Sequence, residues 1–209
     1  MNKLKITEIS IKKIKDTKLS KRLPELYQLK KIVENSDWHN QETVFDHILT
    51  ILRELNKIIK NSSSKIKNYL NQKVDNYTRE NLLFLAALFH DIGKKETLRK
   101  NNNHTSCPNH EKISFYKTKQ ILNRFDLSNK EKAIITKIIK NHGLIHLIIN
   151  PENNKLDQEY KKFRSKYSEI FLELILLAIA DTAGSYLQNT KPDEFKFRIS
   201  FYNNILKSY

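Results

Sequence analysis

Six side chains of the kinds that bind divalent cations sit where apolar segments end or turn a face inward. His47 stands between Val44 and Ile48, the pair His90-Asp91 follows the apolar run Leu82–Phe89, and Asp181 follows Ala180. His110 and His142 fall at the ends of two further segments. An ionised carboxylate is costly to bury unless it is paired or bound to a cation, so Asp91 and Asp181 both need a partner. Imidazole nitrogens with carboxylate oxygens form the mixed ligand set that takes Mn, Ni, Co, Fe, Zn or Mg. A lone Cys107 leaves no thiolate cluster for a structural zinc knot. Lys94, three residues after Asp91, has two readings. It is either a solvated cation at a helix C-terminus, where the dipole favours it, or, by its nearness to Asp91, part of the same site.

The elements that must position these groups read as helices. Only three glycines and four prolines occur, so turns are few and the expected architecture is an all-α bundle. Val44, Ile48, Leu52, Leu55 and Ile59 recur at three and four, which predicts an amphipathic helix of about 18 residues closed by the serines after Asn61. A second helix is expected from Thr78 through Ile92, apolar nearly all round, with Gly93 as its stop. Residues 95–108 read as a loop. Asn109 is placed to cap a helix carrying Ile113, Tyr116, Ile121 and Leu122, and Ser128 with Glu131 forms a capping box ahead of Ile134, Ile135, Ile138 and Ile139. After a polar loop at 150–158, a long helix from Lys166 buries Phe171 through Ala180 and delivers Asp181. Pro192 opens the last helix, with Phe195, Phe197, Phe201 and Ile205.

Residues 1–22 show no clear period and read as a strand-like arm or a helical lead-in. The expected division is a basic N-terminal segment at 1–37, a main domain at 38–190 and a C-terminal helix at 191–209 packed on it. His146 follows His142 by four, but Gly143 is expected to end that helix and leave His146 at the surface; His39 and His104 are also expected to be exposed. Trp38, like Phe195, Phe197 and Phe201, reads as core packing rather than as a base-stacking platform.

The net charge of +15 raises nucleic acid as a partner, since clustered cations attract phosphates. Yet 31 of the 38 basic residues are lysine, alongside abundant Asn and Ile, which AT-rich coding alone would produce. No apolar run approaches the ~18 residues of a membrane span, and the N-terminus lacks the apolar core of a secretory signal. With a single cysteine, which suits a reducing compartment, this points to a cytoplasmic protein.

The order His47, His90-Asp91, Asp181, with the continuation Ile92-Gly93-Lys94, resembles the HD-domain superfamily of metal-dependent phosphohydrolases across residues 38–187. The resemblance implies a helical bundle in which His47, His90, Asp91 and Asp181 hold a divalent cation. His90 through Thr97, with Asn109-His110-Glu111 and Asn141-His142, is similar in particular to the HD region of CCA-adding and poly(A) polymerase-type nucleotidyltransferases. Those enzymes carry a nucleotidyltransferase head for which 37 residues leave no room, so polymerisation is not expected. They have Gly where this chain has Asn109. By this likeness His110 and His142 either hold a second cation, with Asp91 bridging, or contact phosphate. The implied activity is hydrolysis of phosphomono- or phosphodiesters of nucleotide-like substrates such as 2′,3′-cyclic nucleotides, with Asp91, Lys94, His110 and His142 as catalytic groups. The alternatives are a single-strand nuclease of HD type and a non-catalytic nucleic-acid-binding module that keeps its metal for stability.

Overall fold

The computed structural model describes residues 2–209. The chain enters through two short helices, α1 (Ile11–Lys15) and α2 (Pro24–Gln28). Ser10 caps the first by accepting from the Lys13 amide, and Pro24 opens the second where its missing N–H leaves nothing unpaired. Leu4, Ile6, Ile14, Leu23, Leu26 and Leu29 are buried in the same core as the later helices. The Leu4 backbone pairs with Arg124 and Asp126. Apolar residues scattered among lysines thus fold this segment onto the body as short turns and not as one continuous arm.

A hairpin follows, β1 (Val33–Ser36) with β2 (His39–Thr43), antiparallel, Val33 opposite Thr43 and Ser36 opposite His39. It runs directly into α3 (Val44–Asn61), which Thr43 caps by accepting from the Asp46 amide. The apolar face of α3 is the one its spacing predicts, and His47 lies on it fully buried among Val44, Ile48 and Ile51. After α4 (Ser64–Leu70), α5 (Arg79–Phe89) opens with a reciprocal capping box between Thr78 and Asn81. From Leu82 to Phe89, all but Phe84 are buried, the mark of a helix at the centre of a bundle.

That helix stops at Phe89, and Gly93 is not a left-handed cap: its φ is −88°. A Cβ at Gly93 would lie 2.5 Å from Ser114 N and 2.6 Å from His110 O. The glycine is there because the turn after α5 presses against α7 (His110–Ile121). The expected loop at 95–108 is α6 (Lys94–Thr97) and a second hairpin, β3 (Arg99–Asn101) with β4 (His104–Ser106). Asn102, at its tip, has φ +52°, and the two hairpins meet where Asn35 N donates to Thr105 Oγ1 at 2.7 Å.

Asn109 does not cap α7 through its side chain. It sits in the left-handed region at φ +59°, ψ +23°, a conformation Gly adopts freely and Asn tolerates better than most residues. The buried face of α7 is Ser114, Thr118 and Ile121, while Tyr116 is exposed, because this helix packs on the Gly93 turn through small side chains. Next, α8 (Asn129–Asn141) starts at the expected Ser128–Glu131 box and buries the expected isoleucines. After it come α9 (Leu144–Ile148) and α10 (Leu156–Lys166), and then α11 (Phe171–Gly184), so the helix expected from Lys166 begins only at Phe171, and a separate helix fills the stretch up to Lys166. α11 packs along α3 at the centre; burying each of its Leu and Ile side chains is worth about 1.5–3 kcal/mol. After α12 (Leu187–Thr190), α13 (Pro192–Lys207) turns Arg198, Tyr202 and Ile205 inward, with its phenylalanines at the margin of the core. No helix among the described residues is long and apolar enough to cross a membrane.

Candidate metal centre

The ends of α5, α8 and α11, the start of α7 and the buried face of α3 meet at one cleft. It is open to solvent, about 210 Å³, and lined by Trp38, Asp91, Lys94, His110, His142 and Asp181 among others. A larger groove of about 610 Å³, lined by Ile58, Ile66 and Leu206, has no histidine or aspartate on its walls. Chemistry and not size therefore picks the site.

Asp91 is the hub and its two oxygens face different neighbours. Oδ2 lies 3.2 Å from His90 Nε2, 2.9 Å from Lys94 Nζ and 3.9 Å from His47 Nε2. Oδ1 lies 3.2 Å from His110 Nε2 and 3.8 Å from His142 Nε2. Asp181 reaches in from α11, its Oδ1 3.0 Å from His47 Nε2. All six sequence-derived candidates thus come together, Lys94 with them.

The tautomers follow from hydrogen bonds at the back of each ring. His90 Nδ1 donates to Ala87 O at 2.8 Å, His110 Nδ1 to Cys107 O at 2.8 Å and His142 Nδ1 to Ile139 O at 2.7 Å. With the proton fixed on Nδ1, each Nε2 presents a lone pair inward, which is how ligating imidazoles are normally oriented. Two consequences test whether a cation fits. His90 Nε2 is buried without a hydrogen-bond partner although a carboxylate oxygen lies 3.2 Å away. The Nε2 atoms of His110 and His142 face each other at 3.2 Å. Acceptor against acceptor is repulsive unless a proton on one Nε2 or a cation bound by both offsets it, so these residues suit a cation in place of that proton. His47, His90 and Asp181 form one group whose donor atoms lie within 4.8 Å of one another, and His90, Asp91 and His142 form another.

The protein's own charges compensate in part. Burial opposes ionisation of Asp91, but His90 and Lys94 outweigh it and hold the carboxyl well below the usual range. Asp181 is likewise held low against burial by His146 and His47. For His47 burial disfavours the charged ring, yet Asp181 and Glu42 raise it to about 10. Burial, with the charge that His90 and His110 carry when protonated, pushes His142 down to about 3, so it stays neutral. Lys94 is buried and doubly paired, to Asp91 and at 2.8 Å to Glu34 Oε2, and these carboxylates raise it despite burial. It is no solvated lysine.

Four further residues of the site, Glu34, His39, Glu42 and His146, do not stand out in the sequence. His39 is buried, its Nδ1 2.8 Å from Glu42 Oε1, which also lies 3.4 Å from His47 Nδ1. The hairpin β1–β2 thereby holds the back of His47 and, through Glu34, the side of Lys94. His146 is not at the surface: Gly143 does not carry the chain away, and α9 brings Nε2 to 3.2 Å from Asp181 Oδ2 while Nδ1 meets the Tyr202 hydroxyl at 3.2 Å. Its spacing of four from His142 was the available signal. No local signal marks Glu34 or His39. Trp38 is not core packing; it is half-buried at the cleft's edge. His104 is exposed, as expected.

The HD domain family matches residues 44–183, which span every group from His47 to Asp181, and the chain belongs to that family. It is similar to the bifunctional uridylyltransferase/uridylyl-removing enzyme of Burkholderia lata, 22% identical over 151 residues, covering 71% of this chain and 16% of that protein. The enzyme of the same name from Neisseria meningitidis serogroup B is 25% identical over 146 residues, covering 68% of this chain and again 16% of the relative. The chain therefore spans under a fifth of the curated relatives it matches.

Proposed function

We propose that this chain is a metal-dependent phosphohydrolase acting on nucleotide-like phosphoesters. The observation that supports it most is the set of three imidazoles, His90, His110 and His142, whose Nδ1 protons are committed to main-chain carbonyls so that three Nε2 lone pairs converge on Asp91. In this reading His47, His90, Asp91 and Asp181 would hold one divalent cation, and His110 and His142 would either help hold a second or bind phosphate. A cation bound there supplies a water acidified toward neutral pH and polarisation of a phosphoryl oxygen.

The chain's own groups do the rest. Lys94 fixes Asp91 Oδ2, and as a buried cation at the cleft it offsets charge developing on phosphate. His110 is the more open of the paired histidines, its side chain 18% exposed against 4% for His142. With Nε2 protonated, the form that the neighbouring Asp91 favours, it would be placed to donate to a phosphoryl or leaving-group oxygen, a contribution of about 10²–10⁴-fold where a general acid operates. His47 is locked between Glu42 and Asp181 and positions the latter.

A uridylyl group is a nucleoside monophosphate, so the name of the relatives supports a phosphoester with a nucleotide on one side. The likeness to polymerase-type HD regions favours 2′,3′-cyclic nucleotides as first candidates. The charge of +15 favours a second reading, a single-strand nuclease using the same cleft. The test is metal-free protein reconstituted in turn with Mn²⁺, Ni²⁺, Co²⁺ and Mg²⁺ and given 2′,3′-cyclic AMP beside a single-stranded oligonucleotide. Turnover of the cyclic ester supports the proposal, and cleavage of the polymer alone moves it to the nuclease. Absence of both with every metal, with the oligonucleotide still retained, leaves a binding module.

A further inference from the structure

Trp38, the only tryptophan of the chain, lies at the bend between β1 and β2 and lines the cleft beside Asp91, Lys94, His110, His146 and Asp181. Half-buried, it is fixed on several sides. Its carbonyl accepts from Tyr186 N at 2.8 Å and its amide donates to Ser36 Oγ at 3.2 Å. The neighbouring Asp37 is held by Thr190 Oγ1 at 2.6 Å and Lys191 Nζ at 2.8 Å.

The ring itself is backed. The Arg198 guanidinium lies over it, 5.2 Å from the centroid, and is itself buried and anchored by Glu194 and the His146 carbonyl. His146 meets the indole edge-on at 5.1 Å and reaches Asp181 Oδ2 at 3.2 Å. The indole is therefore one imidazole away from the Asp181 carboxylate, as a sugar separates a base from its phosphate. Arg198 lies over one face, and the ring lines the open cleft. A preorganised aromatic plane of this kind binds any base through its π-face and costs little entropy on binding.

We propose that Trp38 is the base platform of this cleft and selects nucleoside phosphates over phosphate esters that lack a base. The inference rests on the phosphohydrolase reading above for the place of the phosphate. It needs no turnover to be tested.

As the sole tryptophan, Trp38 reports directly through intrinsic fluorescence. Adenosine 5′-monophosphate should quench the 209-residue chain saturably, and ribose 5-phosphate should bind with little change in emission. By calorimetric titration Trp38→Ala should weaken AMP about 5- to 150-fold, the span of base–aromatic stacking, and ribose 5-phosphate less than about twofold. Trp38→Phe, which keeps a ring, should recover most of the loss, and unchanged melting temperatures should show that both variants fold. Equal weakening of both ligands, or AMP that does not bind or binds the wild type without quenching, overturns the proposal. Quenching by AMP in a protein that hydrolyses nothing retains the platform and discards the hydrolase; equal binding of both ligands in an active enzyme does the reverse.

Discussion

Replacing Gly93 with Ala separates two explanations of the same glycine by sign. At φ −88° and ψ −8° the backbone accepts any residue. If conformation alone mattered, alanine would stabilise the fold by about 0.4–1 kcal/mol through the unfolded chain. The contacts predict the opposite. The new methyl would lie 2.5 Å from Ser114 N, 2.6 Å from His110 O and 2.9 Å from Ile113 Cβ. Ordinary contact begins at 3.4 Å, so α7 must retreat by about 0.9 Å, and two of the three clashing atoms are main chain that has no rotamer to change. The retreat also strains the 2.9 Å bond from Gly93 N to Ser114 Oγ. Overpacking of this kind costs about 1–3 kcal/mol, and for a chain of this length that is a fall in Tm of about 2–12 °C. Because His110 opens α7, the same shift moves Nε2 relative to Asp91, and misplacement by about 1 Å costs on the order of 10²-fold in rate. Scanning calorimetry and hydrolysis of 2′,3′-cyclic AMP read the two effects. A Tm that holds or rises in Gly93→Ala refutes the close-approach account.

Glu131 is fully buried and its carboxylate accepts from three amides, Asn76 and Tyr77 on Oε1 and Ser128 on Oε2. Glu131→Ala strands those donors and should destabilise by about 3–5 kcal/mol in urea titrations, with Glu131→Gln intermediate; a loss below about 1 kcal/mol would show that water replaces the carboxylate freely. At Asn109, alanine should lose about 1–2 kcal/mol at the left-handed position while glycine stays within about 0.5 kcal/mol of wild type. Equal stability of the two variants would remove the conformational reason for Asn there. His47, held at about 10 in the metal-free protein, carries a proton at pH 7 that a cation binding Nε2 must displace. Mn²⁺ affinity should therefore rise with pH by up to about tenfold per unit below that value, and calorimetry in buffers of different ionisation enthalpy should show about one proton released. Isotherms independent of buffer would place the cation elsewhere.

Where helices had both a period and a cap, the sequence was readable. The repeat from Val44 to Ile59 located α3, and Ser128 with Glu131 located the start of α8, because side-chain spacing and end chemistry are local properties. The hairpins were not readable: β3 and β4 are three residues each, exposed and polar, and β1–β2 is held by the helices beneath it and not by alternation of its own. The same limit hid Glu34 and His39, which are buried only because the hairpin folds over Lys94 and His47. His146 differs from its expected surface position because Gly143, which reads as a helix end that throws the chain outward, instead lets it turn inward against Glu111. The six candidate ligands were readable because polar groups inside apolar runs stand out in one dimension.

The central claim is that Asp91 gathers the inward-facing imidazoles around a divalent cation. Metal-stripped wild type and Asp91→Ala, dialysed side by side against Mn²⁺ and then metal-free buffer, would be assayed for retained metal by elemental analysis and for fold by circular dichroism. The account predicts one or two ions retained per wild-type chain and none in a folded Asp91→Ala variant. Equal retention by both proteins, or none by either, would contradict it.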